Sequence, residues 1–347
     1  MWVQDGNRVY VESVEGKFYF TMPDYFNIKD VHPDLLRLAE ILLFGYWHRD
    51  FFDYKFTRKQ EGGNIGLAYS GGNDSTAVYH LLPHGKVKAL YHAREGLPMG
   101  LLKHDNPLYA MKKNCPEGLV IPSNFEGVRA HYGLAGGFQS DIEINNVGTV
   151  GLSPIVALVL LADYLELGYL SMGIVLNPLF VPNGKYYPFH LSPDWLMWQT
   201  VFRNACLPLL LPLIPCMTPA NYIILKKMGA FAQSCLRGTE GIGCDNCYKC
   251  YKHALLEGRN IPMNAETIGT IKTNFMRRTM LVSAMNYSGL DVPELREHKN
   301  VDTSFFAGYY KPALGLIPIE YRAYIESQLN KYIEPMDSKK MESFKLC

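Results

Sequence analysis

The N-terminal part of the chain shows two different periods of hydrophobic positions. In residues 7–22, NRVYVESVEGKFYFTM, apolar and polar residues alternate on both sides of a Glu-Gly pair, which predicts a β-hairpin. In residues 32–52, HPDLLRLAEILLFGYWHRDFF, apolar residues recur at helical spacing. Residues 58–64 are mostly polar and contain glycine. The pattern therefore predicts an N-terminal extension, residues 1–60, that consists of a β-hairpin and a helix.

The central part of the chain alternates between strand and helix patterns. Short, continuous apolar runs, typical of strands buried on both faces of a sheet, occupy residues 64–70, 86–93, 118–126 and 169–176. A further strand is expected within residues 209–217. Helical patterns lie at residues 75–83, 100–114, 153–168, 192–208 and 218–233. This alternation predicts an α/β domain with a doubly wound parallel sheet, residues 61–255.

The C-terminal part of the chain carries helical patterns without an obvious strand. They cover residues 265–289 and 317–336. We therefore expect residues 256–347 to form a helical C-terminal extension.

Composition narrows the class of protein. Of the 347 residues, 48% are hydrophobic and 19% charged, with a formal net charge of +1, which argues against a nucleic-acid partner. The apolar stretches 154–170 and 207–217 are interrupted or short compared with the roughly 20 apolar residues of a spanning helix. The opening lacks the pattern of a signal peptide. We expect a cytoplasmic protein without a membrane partner. The sequence leaves the oligomeric state open and is compatible with a homodimer.

A glycine pair follows the first strand of the predicted domain. The string Ser70-Gly71-Gly72-Asn73-Asp74-Ser75 joins this strand to a helix. Backbone N–H groups at such a turn, together with the helix dipole, bind anions, and glycine lets phosphate oxygens approach the backbone. The hydroxyls of Ser70, Ser75 and Thr76 are expected to donate to the phosphates. Asp74 is expected either to hold Mg²⁺ or to cap the helix. The turn therefore predicts a phosphate site.

This string resembles the SGGxDS motif of the PP-loop ATP pyrophosphatases, and every fixed position of the motif is present. Unlike a Walker loop, it contains no lysine. The resemblance implies a Rossmann-like PP-loop fold that binds ATP and Mg²⁺ and releases pyrophosphate from an adenylated substrate. It assigns catalytic roles to Asp74, Ser75 and Ser70. It assigns nucleotide binding to Ser70, Gly71, Gly72, Asn73, Asp74, Ser75 and Thr76, and to Tyr91 and His92 at the end of the second strand.

Four of the eight cysteines lie close together in the sequence. Cys235, Cys244, Cys247 and Cys250 have the spacing C-x8-C-x2-C-x2-C, whereas the other four are scattered. This distribution favours a metal site in a reducing compartment over a disulfide framework. Four thiolates suit tetrahedral Zn²⁺ and leave no open position, so the zinc is expected to be structural. An iron–sulfur cluster and a redox pair of Cys247 and Cys250 are the alternatives.

The glycine turn and the cysteine spacing together resemble the 7-cyano-7-deazaguanine synthase family, over roughly residues 64–255. That family adenylates the carboxylate of 7-carboxy-7-deazaguanine, and ammonia then converts the acyl adenylate to an amide and, after a second activation, to the nitrile of the queuosine pathway. This chain lacks the arginine and asparagine that the family carries before the helix at 153–168, and the lysine that opens the helix at 218–233.

These departures, and the extra residues at both ends, suggest a different acceptor. Divergent relatives in bacterial antiphage defence are thought to attach a deazaguanine to a protein amine, and the resemblance implies that outcome or nitrile synthesis with ammonia. A PP-loop tRNA sulfurtransferase would require a basic face and a reactive cysteine, and the net charge argues against it. A nucleotide-binding scaffold without activity is the remaining alternative.

Six further residues have a functional and a structural interpretation. His190, with Phe189 or Trp195, either stacks on a heterocycle or belongs to an aromatic core. Arg94, after the second strand, either stabilises charge on pyrophosphate or forms a surface ion pair. Two interpretations are also open for Asp141 and Glu143: they either bind the edge of a guanine-like base or are exposed.

Overall fold

The computed structural model describes residues 2–13, 16–45, 49–59, 62–95, 104–125 and 152–346. Within these residues, seven strands form one mixed sheet in the order β1-β2-β3-β6-β5-β4-β7. The strands are β1 Trp2–Asp5, β2 Arg8–Ser13, β3 Gly16–Thr21, β4 Asn64–Ala68, β5 Val87–Arg94, β6 Leu119–Ser123 and β7 Leu167–Met172.

The parallel half of the sheet agrees with the sequence pattern. Strands β6, β5, β4 and β7 are parallel neighbours in that order. This is the order of the first four strands of a doubly wound sheet, and the direction of winding reverses between β4 and β7. The prediction of a strand within residues 209–217 is wrong, because Leu209 forms only an isolated bridge with Leu170. The three prolines around it have no N–H to donate to a strand ladder.

The predicted N-terminal hairpin is confirmed, and it continues the central sheet. Strand β3 pairs antiparallel with β6 at Phe20 and Ser123. The alternating apolar residues of β2 and β3 are buried, and Phe18 lies edge-on to Phe44 at a centroid distance of 5.3 Å. The hairpin therefore contributes one face to the core of the sheet.

Helices pack around the sheet and also make up the C-terminal region. Among the described residues up to 256, the α-helices are α1 Pro33–Phe44, α2 Asn73–Leu81, α3 Asp105–Asn114, α4 Val156–Leu160, α5 Asn177–Phe180, α6 Pro193–Asn204, α7 Thr218–Met228 and α8 Tyr248–Leu256. Helix α4 is much shorter than the pattern at 153–168 predicts. The chain leaves it through turns that end at Glu166, whose φ of 50° redirects the backbone into β7.

The C-terminal region is helical, as predicted, and shares the core of the sheet. It contains α9 Ala265–Thr273, α10 Phe275–Ser288, α11 Ile319–Leu329 and α12 Ser338–Glu342. One hydrophobic cluster runs from Val9 to Leu346 without a break near residue 255. None of the helices among the described residues has the length and apolar character that crossing a membrane requires.

The segment that leads into β4 is held by one buried carboxylate. Asp34 on α1 accepts hydrogen bonds from the backbone N–H groups of Thr57 and Arg58 and from the Tyr54 hydroxyl. Burial alone raises the pKa of Asp34, but these hydrogen bonds outweigh burial and hold the pKa below its ordinary value. The Arg58 guanidinium in turn binds Asp163 at 2.8 Å. These contacts fix the start of the parallel half of the sheet against α1.

Candidate active site and metal centre

The glycine turn lies where the winding of the sheet reverses. Residues 69–72 join the carboxyl end of β4 to the first residue of α2. The backbone after β7 approaches the same place, since a Cβ atom on Gly173 would lie 2.7 Å from the amide nitrogen of Ser75. Ligands of doubly wound sheets bind beyond the carboxyl ends of the strands at this point. The structure therefore puts the predicted phosphate site at the position that the topology favours for a ligand.

Both glycines are required by contacts within the protein. Gly71 has a φ of +72°, and a Cβ atom there would lie 2.7 Å from the Cα atom of Pro107 on α3. A Cβ atom on Gly72 would lie 2.9 Å from the hydroxyl oxygen of Ser234, the residue before the first clustered cysteine. The turn is thus packed against α3 and against the cysteine segment. These contacts are a further reason for the glycine pair, beside the phosphate approach and the positive φ that glycine permits.

The three expected hydroxyl donors have different surroundings. Ser70 is exposed. Ser75 is buried, and its Oγ accepts from the Ser70 N–H at 3.0 Å and lies 3.1 Å from the Ser70 Oγ. Thr76 is fully buried, and its hydroxyl lies 3.0 Å from that of Tyr69. The side chains of Ser75 and Thr76 therefore hold the turn and the core beneath it, and Ser70 presents its hydroxyl. The phosphate contacts expected of these hydroxyls stay a prediction.

Asp74 does not cap the helix. Gly72 occupies the N-cap position of α2, and no side chain caps it. The Oδ1 atom of Asp74 accepts from the Asn221 side-chain amide on α7 at 2.8 Å. Its Oδ2 atom makes no hydrogen bond with another described residue. The first turn of α2 therefore keeps amide groups for an anion, and one carboxylate oxygen fits a Mg²⁺ ion that retains waters and phosphate ligands.

The second-strand residues expected near the nucleotide are buried. The hydroxyl of Tyr91 lies 2.6 Å from the Nδ1 atom of His104. The His92 ring lies on Phe125 at a centroid distance of 4.4 Å. Burial, with the nearby positive charge of Arg94, lowers the pKa of His92 to about 3, so its ring is neutral. Neither side chain is exposed, and nucleotide binding at this strand end stays a prediction.

A lysine that the sequence analysis missed lies beside the turn. The ammonium of Lys249 on α8 is 3.5 Å from the Ser234 hydroxyl. Surrounding protein atoms, followed by Arg94 and Lys252, lower the pKa of Lys249 to about 8, although its side chain reaches solvent. The thiolates of Cys247 and Cys235 oppose this shift of the Lys249 pKa. The only local signal for Lys249 in the sequence is its position between two of the clustered cysteines.

The four clustered cysteines converge on one point. The Sγ atoms of Cys235, Cys244, Cys247 and Cys250 all lie within 4.8 Å of one another. Two of the separations, Cys235 to Cys247 and Cys244 to Cys250, are 3.9 Å. A tetrahedron of thiolates around zinc, with bonds of about 2.3 Å, has edges of about 3.8 Å. The arrangement therefore fits a single metal ion such as zinc, and it brings all four sulfurs together instead of only the Cys247 and Cys250 pair.

One buried side chain joins this metal centre to the glycine turn. Asn106 on α3 donates to the carbonyl oxygens of Cys235 at 3.0 Å and Ile242 at 2.9 Å, and its Oδ1 accepts from the Gly241 N–H at 2.7 Å. The next residue of α3 is Pro107, which contacts Gly71. The eight-residue cysteine loop and the glycine turn therefore share one support.

Comparison with known proteins gives a match to part of the chain. Residues 197–286 and 291–346 match a family of unknown function, DUF6395. The matched residues contain the four cysteines and Asn221 but not the glycine turn, and they cover less than half of the chain. No curated protein and no solved structure matches. The geometry is therefore the basis for a functional proposal.

Two of the other candidate residues belong to the aromatic core. Phe189 and Trp195 are buried in the core, with ring centroids 5.2 Å apart, which supports the structural interpretation. His190 is exposed beside them. Asp141 and Glu143 lie outside the described residues.

Replacing Gly71 with alanine is expected to lower the free energy of unfolding by about 3 kcal/mol or more, through left-handed backbone strain and the Pro107 contact. The matched control is Gly85→Ala, because Gly85 also has a positive φ, +86°, but no atom within 4 Å of a new Cβ. That variant is expected to lose about 1 kcal/mol. Urea unfolding measures both, and equal losses would contradict the role of the Pro107 contact.

Proposed function

We propose that the protein is an ATP-dependent adenylating enzyme that activates a carboxylate and transfers the acyl group to an amine. The supporting observation is the uncapped N-terminus of α2, which lies within the SGGNDS string at the reversal point of the sheet. In this proposal the domain is a Rossmann-like PP-loop fold. The amides of Gly71 and Gly72 and the Ser70 hydroxyl bind the phosphates.

The proposed chemistry proceeds in two steps. A carboxylate oxygen of the substrate forms a bond to the α-phosphorus of ATP, the bond from that phosphorus to the α,β-bridging oxygen breaks, and pyrophosphate leaves with the electron pair. The amine nitrogen then bonds to the acyl carbon, AMP leaves, and the amine proton passes to solvent. Asp74 would hold Mg²⁺, which reduces repulsion between the phosphates. Positioning and charge stabilisation supply the catalysis.

The proposed substrate is 7-carboxy-7-deazaguanine, from the resemblance of the two motifs to its synthase. The proposed acceptor is a protein amine, as in a role in antiphage defence, because the chain departs from that family outside the turn and the cysteines. Synthesis of the free nitrile with ammonia is the alternative. The clustered cysteines hold a structural zinc ion in this proposal, since four thiolates leave no position for substrate.

The cysteines of the described residues argue against a sulfurtransferase. Burial raises the pKa of Cys115 to about 12 and raises that of Cys216 as well. Four others form the metal centre. A sulfur-transferring cysteine requires an accessible thiolate with a lowered pKa. Among the described residues outside the metal centre, only Cys206 is even partly exposed, and its thiol hydrogen-bonds to the Arg58 carbonyl.

Incubation of the full chain with ATP, Mg²⁺ and 7-carboxy-7-deazaguanine tests the proposal. Three samples contain no acceptor, ammonia, or proteins of the source cell, and mass spectrometry follows AMP, pyrophosphate and the products. A protein mass increased by the deazaguanine acyl group supports conjugation, and free nitrile supports the ammonia reaction. ATP binding without pyrophosphate release in any sample would indicate the non-catalytic scaffold instead.

A further inference from the structure

The cysteine segment carries two polar side chains to the glycine turn. Ser234 precedes Cys235, and Lys249 lies between Cys247 and Cys250. The Ser234 hydroxyl lies over Gly72, 2.9 Å from the position of a Cβ atom, and the Ser70 hydroxyl is 3.5 Å from that position. The Lys249 ammonium is 3.5 Å from the Ser234 hydroxyl. Two hydroxyls and an ammonium therefore surround the N-terminal end of α2.

The Lys249 ammonium is the charged group of this set. Lys249 makes no ion pair with a described residue, and its hydrogen bond is to the neutral Ser234. The charges that act on it most strongly after burial are the two cations Arg94 and Lys252. The thiolates of Cys247 and Cys235 act on it in the opposite sense. An ammonium whose hydrogen bond goes to a hydroxyl keeps further N–H donors for phosphate oxygens. The group therefore has the charge and donors of a site for a polyanion.

We propose that Lys249 and Ser234 bind the β- and γ-phosphates of ATP and hold the departing pyrophosphate. This inference rests on the proposed function and extends it. When the bond from the α-phosphorus to the bridging oxygen breaks, that oxygen keeps the electron pair and pyrophosphate gains negative charge. The Lys249 ammonium stabilises this charge, and no proton has to move. The metal centre then acts as the support that places this lysine.

Binding of inorganic pyrophosphate tests the inference directly. Isothermal titration calorimetry compares the zinc-loaded wild type with Lys249→Met, which keeps the apolar stem, and with Lys249→Arg, which keeps the charge. Loss of a charged hydrogen bond is expected to weaken pyrophosphate binding by about 10- to 100-fold in Lys249→Met. The Arg variant is expected to recover most of this loss, and AMP binding is expected to change by less than about 3-fold because AMP lacks these phosphates.

The matched control is Lys226→Met, an exposed lysine on α7. It is expected to bind pyrophosphate like the wild type. Metal content and unfolding midpoint are measured for every variant. If Lys249→Met loses zinc, pyrophosphate binding by Lys249→Arg decides the test. Restored affinity in the Arg variant supports the inference, and affinity that is not restored overturns it. Pyrophosphate binding by Lys249→Met equal to that of the wild type overturns this inference and leaves the adenylating function intact. A wild type that binds neither ATP nor pyrophosphate overturns both.

Discussion

Replacing Cys250 with alanine is expected to remove the metal ion and to lower the unfolding midpoint by about 10 °C or more. Structural zinc sites contribute strongly to folding free energy, and the remaining three thiolates would be left close together without a complete ion site. Cys250 is buried, and its Sγ would lie 2.8 Å from a Cβ atom on Gly243, so the loop is shaped around this sulfur. Metal analysis by mass spectrometry and thermal unfolding measure the two effects.

The control for this experiment is Cys115→Ala. Cys115 is also buried but lies outside the cluster. It is expected to keep one zinc ion per chain and to lose only about 1 kcal/mol of stability through the small cavity. Iron with inorganic sulfide in the purified wild type would replace the zinc assignment by an iron–sulfur cluster. A Cys250→Ala variant with full metal content would contradict the four-cysteine site.

Replacing Asp74 with asparagine is expected to reduce pyrophosphate release by about 100- to 1000-fold while the fold is retained. An asparagine oxygen can still accept the hydrogen bond from Asn221, which Asp74 now accepts at 2.8 Å. The variant therefore removes the negative charge proposed to bind Mg²⁺ and keeps the contact that holds the turn to α7. Steady-state pyrophosphate release at several Mg²⁺ concentrations measures the effect.

Asp105→Asn is the matched control, since Asp105 is an exposed acid in the first turn of the neighbouring helix α3. Its pyrophosphate release is expected to stay within about 2-fold of the wild type, because loss of one charge near a helix terminus affects mainly helix stability. If Asp74→Asn kept full activity at low Mg²⁺, Asp74 would have a structural role only, through Asn221.

Much of the parallel sheet was predictable because its strands are local signals. The apolar runs at residues 64–70 and 169–176 are visible in the sequence and overlap the buried strands β4 and β7. Residues 167–168, which begin β7, were expected in the preceding helix. The hairpin was predictable from alternation, but its attachment was not. The hairpin joins the sheet through a single antiparallel pair of residues, Phe20 and Ser123. Neither residue has a local sequence feature that predicts this pairing.

The candidate site also has features that the sequence predicts and features that depend on tertiary packing. Glycine conformation and cysteine spacing are short-range properties, so the sequence by itself determined the turn after β4 and the four sulfurs of the metal centre. Only the tertiary structure decided three contacts. Asn221 donates a hydrogen bond to Asp74, Asn106 on α3 donates to the cysteine loop, and Lys249 lies beside Ser234 at the turn. The first of these contacts joins residues 147 positions apart. Such contacts depend on how whole elements pack, which no local period of the chain encodes.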